Sequence, residues 1–263
     1  MNRTFYHLIV MLFNMSFTAA TYAQTGIPYN LIEGMPAIYI HPDAETLGST
    51  WRQGQIHEKH LIQKFYNLLP TNEPFVFFDL GAHTGSFSLM AKYFPLATWY
   101  AFEPIQEAAD ILKQNLALNA ITNVFVHQVA VTNFSGTVTL RMPERAHWGL
   151  ATIGPRALRI ASPTTREIPC IDLDSFVEEH KIARVHFMKI DTEGSELAIL
   201  RGAQKTIQRD RPIMIMEHNE TNMEQCNVRK KDLEDFLIAM GYEWKLVSHE
   251  DILCTQKASF LSL

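Results

Sequence analysis

Cysteine is scarce in this sequence: Cys170, Cys226 and Cys254 are the only three among 263 residues. They are too few and too scattered for a zinc module or a disulfide framework. A surplus of positive charge is missing as well. Lys and Arg number 23 against 28 Asp and Glu, a formal charge of −5, which disfavours nucleic acid as the main partner. With Gly 12 and Pro 12 there is no collagen-like repeat, and 47% apolar against 19% charged residues excludes a long disordered chain. No internal repeat or low-complexity tract occurs, and no apolar run is long enough for a stable membrane span.

What remains fits one globular domain with short appendages. The opening stretch MNRTFYHLIVMLFNMSFTAATYAQ carries Arg3, an apolar run from Leu8 to Phe13 interrupted at Asn14, and small residues ending at Ala23. That outline predicts a cleavable signal peptide over 1–23; an N-terminal helix, or a reading frame opening at Met35, is the alternative. Residues 24–74 read as an irregular arm broken by Pro28, Pro36 and Pro42, ending in an amphipathic helix with Leu61, Phe65, Leu68 and Leu69 at helical spacing. A core domain is expected over 75–250, and a C-terminal strand and tail over 251–263.

Within the core domain, strand-like and helix-like segments alternate from PFVFFDLG through YEWKLVS. Such alternation predicts an α/β fold, a parallel sheet with helices on both faces. The stretch Arg141 to Glu167 has no period and is expected to be a long functional loop, with Trp148 and Arg156 as contacts.

Four clusters carry the chemistry. The turn Asp79-Leu80-Gly81-Ala82-His83-Thr84-Gly85 sits between an apolar strand and the segment SFSLMAKYF, read as a helix. Glycine there permits a sharp turn and close approach of a ligand. Glu103 ends the second strand about 20 residues further on, the placement of an acid that binds the two hydroxyls of a ribose. The spacing supports a nucleoside cofactor without choosing which one. G-x-G-x-x-G is missing, and carboxylates suit a sulfonium such as that of S-adenosylmethionine better than a diphosphate. A third strand ends in Asp191-Thr192-Glu193-Gly194, and a fourth in Glu217-His218-Asn219. In a doubly wound sheet Asp191 opens onto the same crevice as Asp79, unless it is simply a helix N-cap. Glu196 reads as a helix-start acid. Glu217 or His218 could deprotonate an acceptor hydroxyl. Asp191, Glu193, Glu217 and His218 could also converge on a divalent cation such as Mg²⁺, although no tight ligand spacing supports a metal site.

The ordered set resembles the FkbM family of S-adenosylmethionine-dependent methyltransferases. The resemblance runs from about Phe75 to Leu246 through FFDLGAHTGSFSLMAKY, YAFEPIQEAADILKQNLALN, VAVTNFSGTVTL, IDLDSF, FMKIDTEGSELAILRGA and RPIMIMEHN. It implies a Rossmann-like class I methyltransferase fold whose seven-stranded sheet is mostly parallel, and O-methylation of a hydroxyl on a small molecule or carbohydrate. Asp79, Gly81, His83, Gly85 and Glu103 then hold the cofactor, and Asp191 with His218 or Glu217 serves catalysis. His83 and Thr192 stand where the family more often shows Asn and Val. The competing expectations are an exported, non-catalytic binding module on the same fold and a nicotinamide-dependent oxidoreductase. The N-terminal signal points to export, whereas supply of the cofactor points to the cytoplasm.

Overall fold

The computed structural model describes residues 26–41, 59–143 and 148–257. The expected signal segment lies outside the described residues. A seven-stranded sheet forms the centre, in the order β11 (Tyr242–Leu246), β12 (Asp251–Gln256), β10 (Ile213–Glu217), β9 (Phe187–Ile190), β3 (Val76–Leu80), β4 (Thr98–Phe102), β5 (Val124–His127). β12 runs antiparallel to both β10 and β11; the pairs joining β10, β9, β3, β4 and β5 are all parallel. This is the Rossmann-like, mostly parallel arrangement expected from the alternation of elements.

The strands read as continuous apolar runs because both sheet faces are covered. Successive side chains point to opposite faces, and β3 shows the consequence. Phe77 stacks on Trp99 with ring centroids 4.2 Å apart, on the face covered by α1 (Lys59–Tyr66) and α2 (Gln106–Leu118). Phe78 packs edge-on against Phe102 and Phe176 on the other face, under α3 (Leu173–Glu179), α4 (Glu196–Gly202), α5 (Gln204–Asp210) and α7 (Lys230–Ala239). Burying each such ring contributes about 1.5–3 kcal/mol. Asp172 starts α3 by accepting the Ser175 amide at 2.8 Å, and Asn219 caps α6 (Glu220–Gln225) through the Asn222 amide at 3.2 Å.

Three expectations are corrected. The arm is not irregular throughout: β1 (Ile27–Tyr29) and β2 (Ile38–Ile40) form an antiparallel pair whose Tyr29, Ile38 and Ile40 join the same apolar cluster as Phe77 and Trp99. The segment after the glycine turn is a 3-10 helix, Ser88–Tyr93, rather than an α-helix; Pro95 forbids its continuation. The stretch 141–167 is not all loop. β7 (Gly136–Met142) and β8 (Thr164–Asp172) pair antiparallel, and with β6 (Ala130–Thr132) they form a second sheet of order β6-β8-β7. Within the arm, Leu61, Phe65 and Leu69 are buried as expected, while Leu68 is exposed.

Asn115 of α2 ties the arm to the glycine turn. Its side chain accepts the His41 amide at 2.7 Å and donates to the Thr84 carbonyl at 2.8 Å. Asn115→Ala is therefore expected to cost about 2–4 kcal/mol in urea unfolding, because two backbone partners lose their bonds in a buried place. An unchanged midpoint would show that the arm is not anchored there.

Candidate active site

The parallel strands deliver their carboxyl ends to one side of the sheet, where α/β folds bind ligands. After β3 the chain turns back over β4, and the amides of Gly81 and Ala82 both donate to the Phe102 carbonyl at 3.0 Å. Gly81 adopts φ +76°, and His83 takes the left-handed region at φ 48°. Glu103, directly beyond β4, is only 4% exposed. Its two oxygens accept the amides of His83 at 2.8 Å and Ile105 at 2.9 Å. Burial nevertheless lifts its carboxyl to about 7, the two amides opposing the shift. His83 moves the opposite way, down to about 4, through burial and then the Lys189 charge. The ring is thus neutral near pH 7, and its Nε2 is buried without a hydrogen-bond partner among the described residues.

β9 lies beside β3, with Asp79 opposite Lys189 and Leu80 opposite Ile190. Lys189 is a charged residue in an otherwise apolar strand. Its Nζ donates to the Gly81 carbonyl at 2.9 Å and lies 3.2 Å from Asp191 Oδ2, joining the glycine turn to the acidic side. Asp191 is not the N-cap of α4; Ser195 holds that position. Glu193, at φ 56°, pairs with Arg159 at 3.0 Å. Arg159 also donates to Asn222 at 3.2 Å, and Asn222 donates to Glu217 at 2.7 Å. Burial, followed by the charges of Asp191, Glu196 and Glu193, holds the Glu217 carboxyl far above the usual carboxylate range. Glu193 is raised by burial and by Asp191. Glu196 acts as a local cap, its Oε1 accepting the Thr192 amide and hydroxyl at 3.0 Å each.

These groups share a cavity of about 370 Å³, within the roughly 300–1,000 Å³ of ligand sites. Gly81, His83 and Glu103 line one part of it, and Asp191, Glu193 and Glu217 another. Leu140, Trp148, Ile153 and Arg159 close it from the side of the second sheet.

Other expected residues lie elsewhere. Asp79 is fully buried beneath the turn, bonded to the Ser88 hydroxyl at 2.6 Å, and does not line the cavity. Gly85 faces Leu112 of α2 rather than the cavity. His218 is placed apart from the acids and the cavity. Its ring points away from the cavity toward α7, with Nε2 3.4 Å from Glu234 Oε1, and burial lowers its pKa. His218 directly follows β10, and its side chain continues the alternation of the strand by facing the other way from Glu217. Arg156 likewise stays outside, bonded to the Glu224 carbonyl and carboxylate. Reading the sequence missed Arg159, Lys189 and Asp251. A lysine inside FMKI was a visible signal for the second of these; nothing local marks the other two.

The sequence profile of the Methyltransferase FkbM domain matches residues 79–244, and the chain belongs to that family. Methyltransferase 1 of Beauveria bassiana (strain ARSEF 2860) is 26% identical over 164 residues, covering 56% of this chain and 66% of that protein. Methyltransferase sdnD of Sordaria araneosa is 30% identical over 165 residues, covering 52% and 62%. The chain thus spans under two thirds of the length of these curated relatives. The crystal structure of Methyltransferase FkbM from Methylobacillus flagellatus KT aligns with a TM-score of 0.49 at 19% identity, over 72% of this chain and 45% of that one.

Proposed function

We propose that this chain is an S-adenosylmethionine-dependent methyltransferase acting on a hydroxyl oxygen of a small molecule or sugar. The observation that carries the reading is the shared cavity: the acid after β4 and the acids after β9 and in β10 open into one volume. The residues present fit the cofactor. Glu103 supplies a carboxylate for ribose hydroxyls, and the neutral His83 ring has a buried nitrogen, without a partner among the described residues, to offer to a polar ligand atom. When bound, the cofactor supplies an electrophilic methyl group on sulfur.

The chain's own task is to position the acceptor oxygen and take its proton. Asp191, with a side chain 29% exposed beside Lys189, is the group suited to accept that proton. Glu217 is held protonated by its surroundings, so it serves as a hydrogen-bond donor that orients the acceptor. Trp148 and Ile153 add apolar surface to the lining of the same cavity.

Calorimetric titration of the full chain with S-adenosylmethionine, followed by methyl transfer to a panel of hydroxyl acceptors, tests the reading. Asp191→Asn is expected to keep cofactor affinity within about threefold while lowering turnover by about 10²-fold or more, the usual contribution of a general base. His218→Asn is expected to leave both within about threefold, in keeping with its position outside the cavity. A folded chain that binds no S-adenosylmethionine would instead support a non-catalytic binding module on this fold.

A further inference from the structure

We propose that Asp191, Glu193 and Glu217 form a binding site for one hard divalent cation of the Mg²⁺, Mn²⁺ and Ca²⁺ class. Each of the three offers a carboxylate oxygen, and these oxygens lie within 4.8 Å of one another. Oxygens on opposite sides of such an ion stand about 4–5 Å apart, twice the usual metal–oxygen distance. The site closes with little movement. A donor set made only of carboxylate oxygens selects hard cations over zinc or copper.

A second observation concerns Glu217 by itself. It is 8% exposed, it lines the cavity, and among the described residues its Oε2 has no hydrogen-bond partner. Its other oxygen receives only the neutral amide of Asn222. Among the described residues Lys189 faces Asp191 and Arg159 faces Glu193, whereas Glu217 forms no ion pair. A buried carboxylate without a cation is expensive, and here Asp191, Glu196 and Glu193 add like charge around it. A divalent ion at this point gives Glu217 its missing partner and relieves the mutual repulsion. Glu196 is not a ligand, because it does not line the cavity and its Oε1 is turned to the Thr192 and Gly194 amides. His218 is excluded as a ligand by its orientation toward Glu234.

The site stands whether or not the chain transfers a methyl group. Metal binding displaces the proton that otherwise neutralises Glu217, so with the ion bound the donor role given above is replaced by the cation, while Asp191 bound through one oxygen keeps the other for the acceptor. For the test, the full chain is stripped with a chelator and titrated with Mn²⁺ in the absence of S-adenosylmethionine, following water-proton relaxation. One Mn²⁺ per chain is expected, displaced by excess Mg²⁺ or Ca²⁺. Glu217→Gln and Asp191→Asn should each weaken binding at least tenfold, while Asp235→Asn on the exposed face of α7 leaves it unchanged. Melting supplies a second readout. Without metal, Glu217→Gln should melt close to the parent, whose Glu217 is already neutral, and it should lose the rise in Tm that Mn²⁺ gives the parent. Absence of stoichiometric Mn²⁺ binding by the folded parent, or equal affinity in parent and both variants, overturns the proposal. Because no S-adenosylmethionine is present, that failure leaves the methyltransferase reading untouched.

Discussion

Glu103→Ala is expected to abolish measurable S-adenosylmethionine binding, a loss of about 10²-fold or more, and to lower the melting temperature of the free protein. Two effects combine in that residue. The carboxylate is the group offered to ribose hydroxyls, and charge-assisted hydrogen bonds to a buried acceptor contribute about 1.5–3 kcal/mol each. It is also the acceptor for the amides of His83 and Ile105, 2.8 and 2.9 Å away. Truncation therefore loosens the turn that shapes the site. Glu103→Gln separates the two effects, because its single carbonyl oxygen can still serve one amide. If Glu103→Ala bound the cofactor as tightly as the parent, the placing of the nucleoside beside β4 would be wrong.

The same residue sets a pH dependence. Its carboxyl is pushed up to about 7 in the free protein, and only the ionised form accepts hydrogen bonds from two hydroxyls and two amides together. Binding therefore carries the cost of removing a proton at low pH. Affinity should fall by up to about tenfold per pH unit below about 7 and level off above it. Calorimetry at about pH 6, 7 and 8 measures this directly, and a flat profile in that window would remove Glu103 from the binding step. For folding the sign is opposite to that of a paired carboxylate. The folded-state pKa lies above the ordinary value of 4.5, so this group's contribution to stability is lost as pH rises from about 4.5 through about 7.

Much of the architecture was legible because the strands are buried on both faces. Runs such as PFVFF and RPIMIM are too apolar and too short for anything but interior strands, and each stops at an acid or glycine where the sheet ends. The strand at 251–256 was legible, whereas the pairing of β7 with β8 was harder to read. Thr164–Asp172 alternates exposed and buried positions only weakly, and its partner β7 sits across an irregular stretch, so the pairing is decided by contacts distant in sequence. The β1–β2 pair was hidden for a similar reason: three-residue strands beside prolines carry little periodicity, and it is Asn115 of α2 and Asn119 just past its end that hold β2 in place. At the site, Glu103 and Asp191 could be placed from their positions at strand ends. The side on which His218 falls depends on the register of one residue, and Arg159 reaches the cavity through a loop whose path no local pattern encodes.

Gly81→Ala should be among the most damaging single substitutions in the chain, and Gly34→Ala shows why by contrast. Both glycines have nearly the same backbone conformation, φ +76° and +79°. The left-handed region costs an L-residue about 1–2 kcal/mol, and at Gly34 that is the whole expected cost, since a Cβ would meet nothing of the described residues within 4 Å. At Gly81 a Cβ would lie 1.8 Å from the Asp191 carbonyl oxygen, far inside van der Waals contact, and both atoms are backbone or rigidly attached to it. Neither strand end can yield freely: Gly81 bonds Phe102 through its amide and Lys189 through its carbonyl, and the Asp191 amide is held by Leu80. Separating β3 from β9 breaks bonds on both sides of the cavity at once, for a total expected loss of about 4 kcal/mol or more, in the range reserved for a few severe mechanisms. Urea unfolding of the two variants beside the parent gives the comparison. The expected ratio is a small midpoint shift for Gly34→Ala with cofactor binding retained, against a large shift or failure to accumulate for Gly81→Ala with binding lost. Equal shifts would mean that backbone conformation alone, and not the close approach of the two strand ends, requires glycine at position 81.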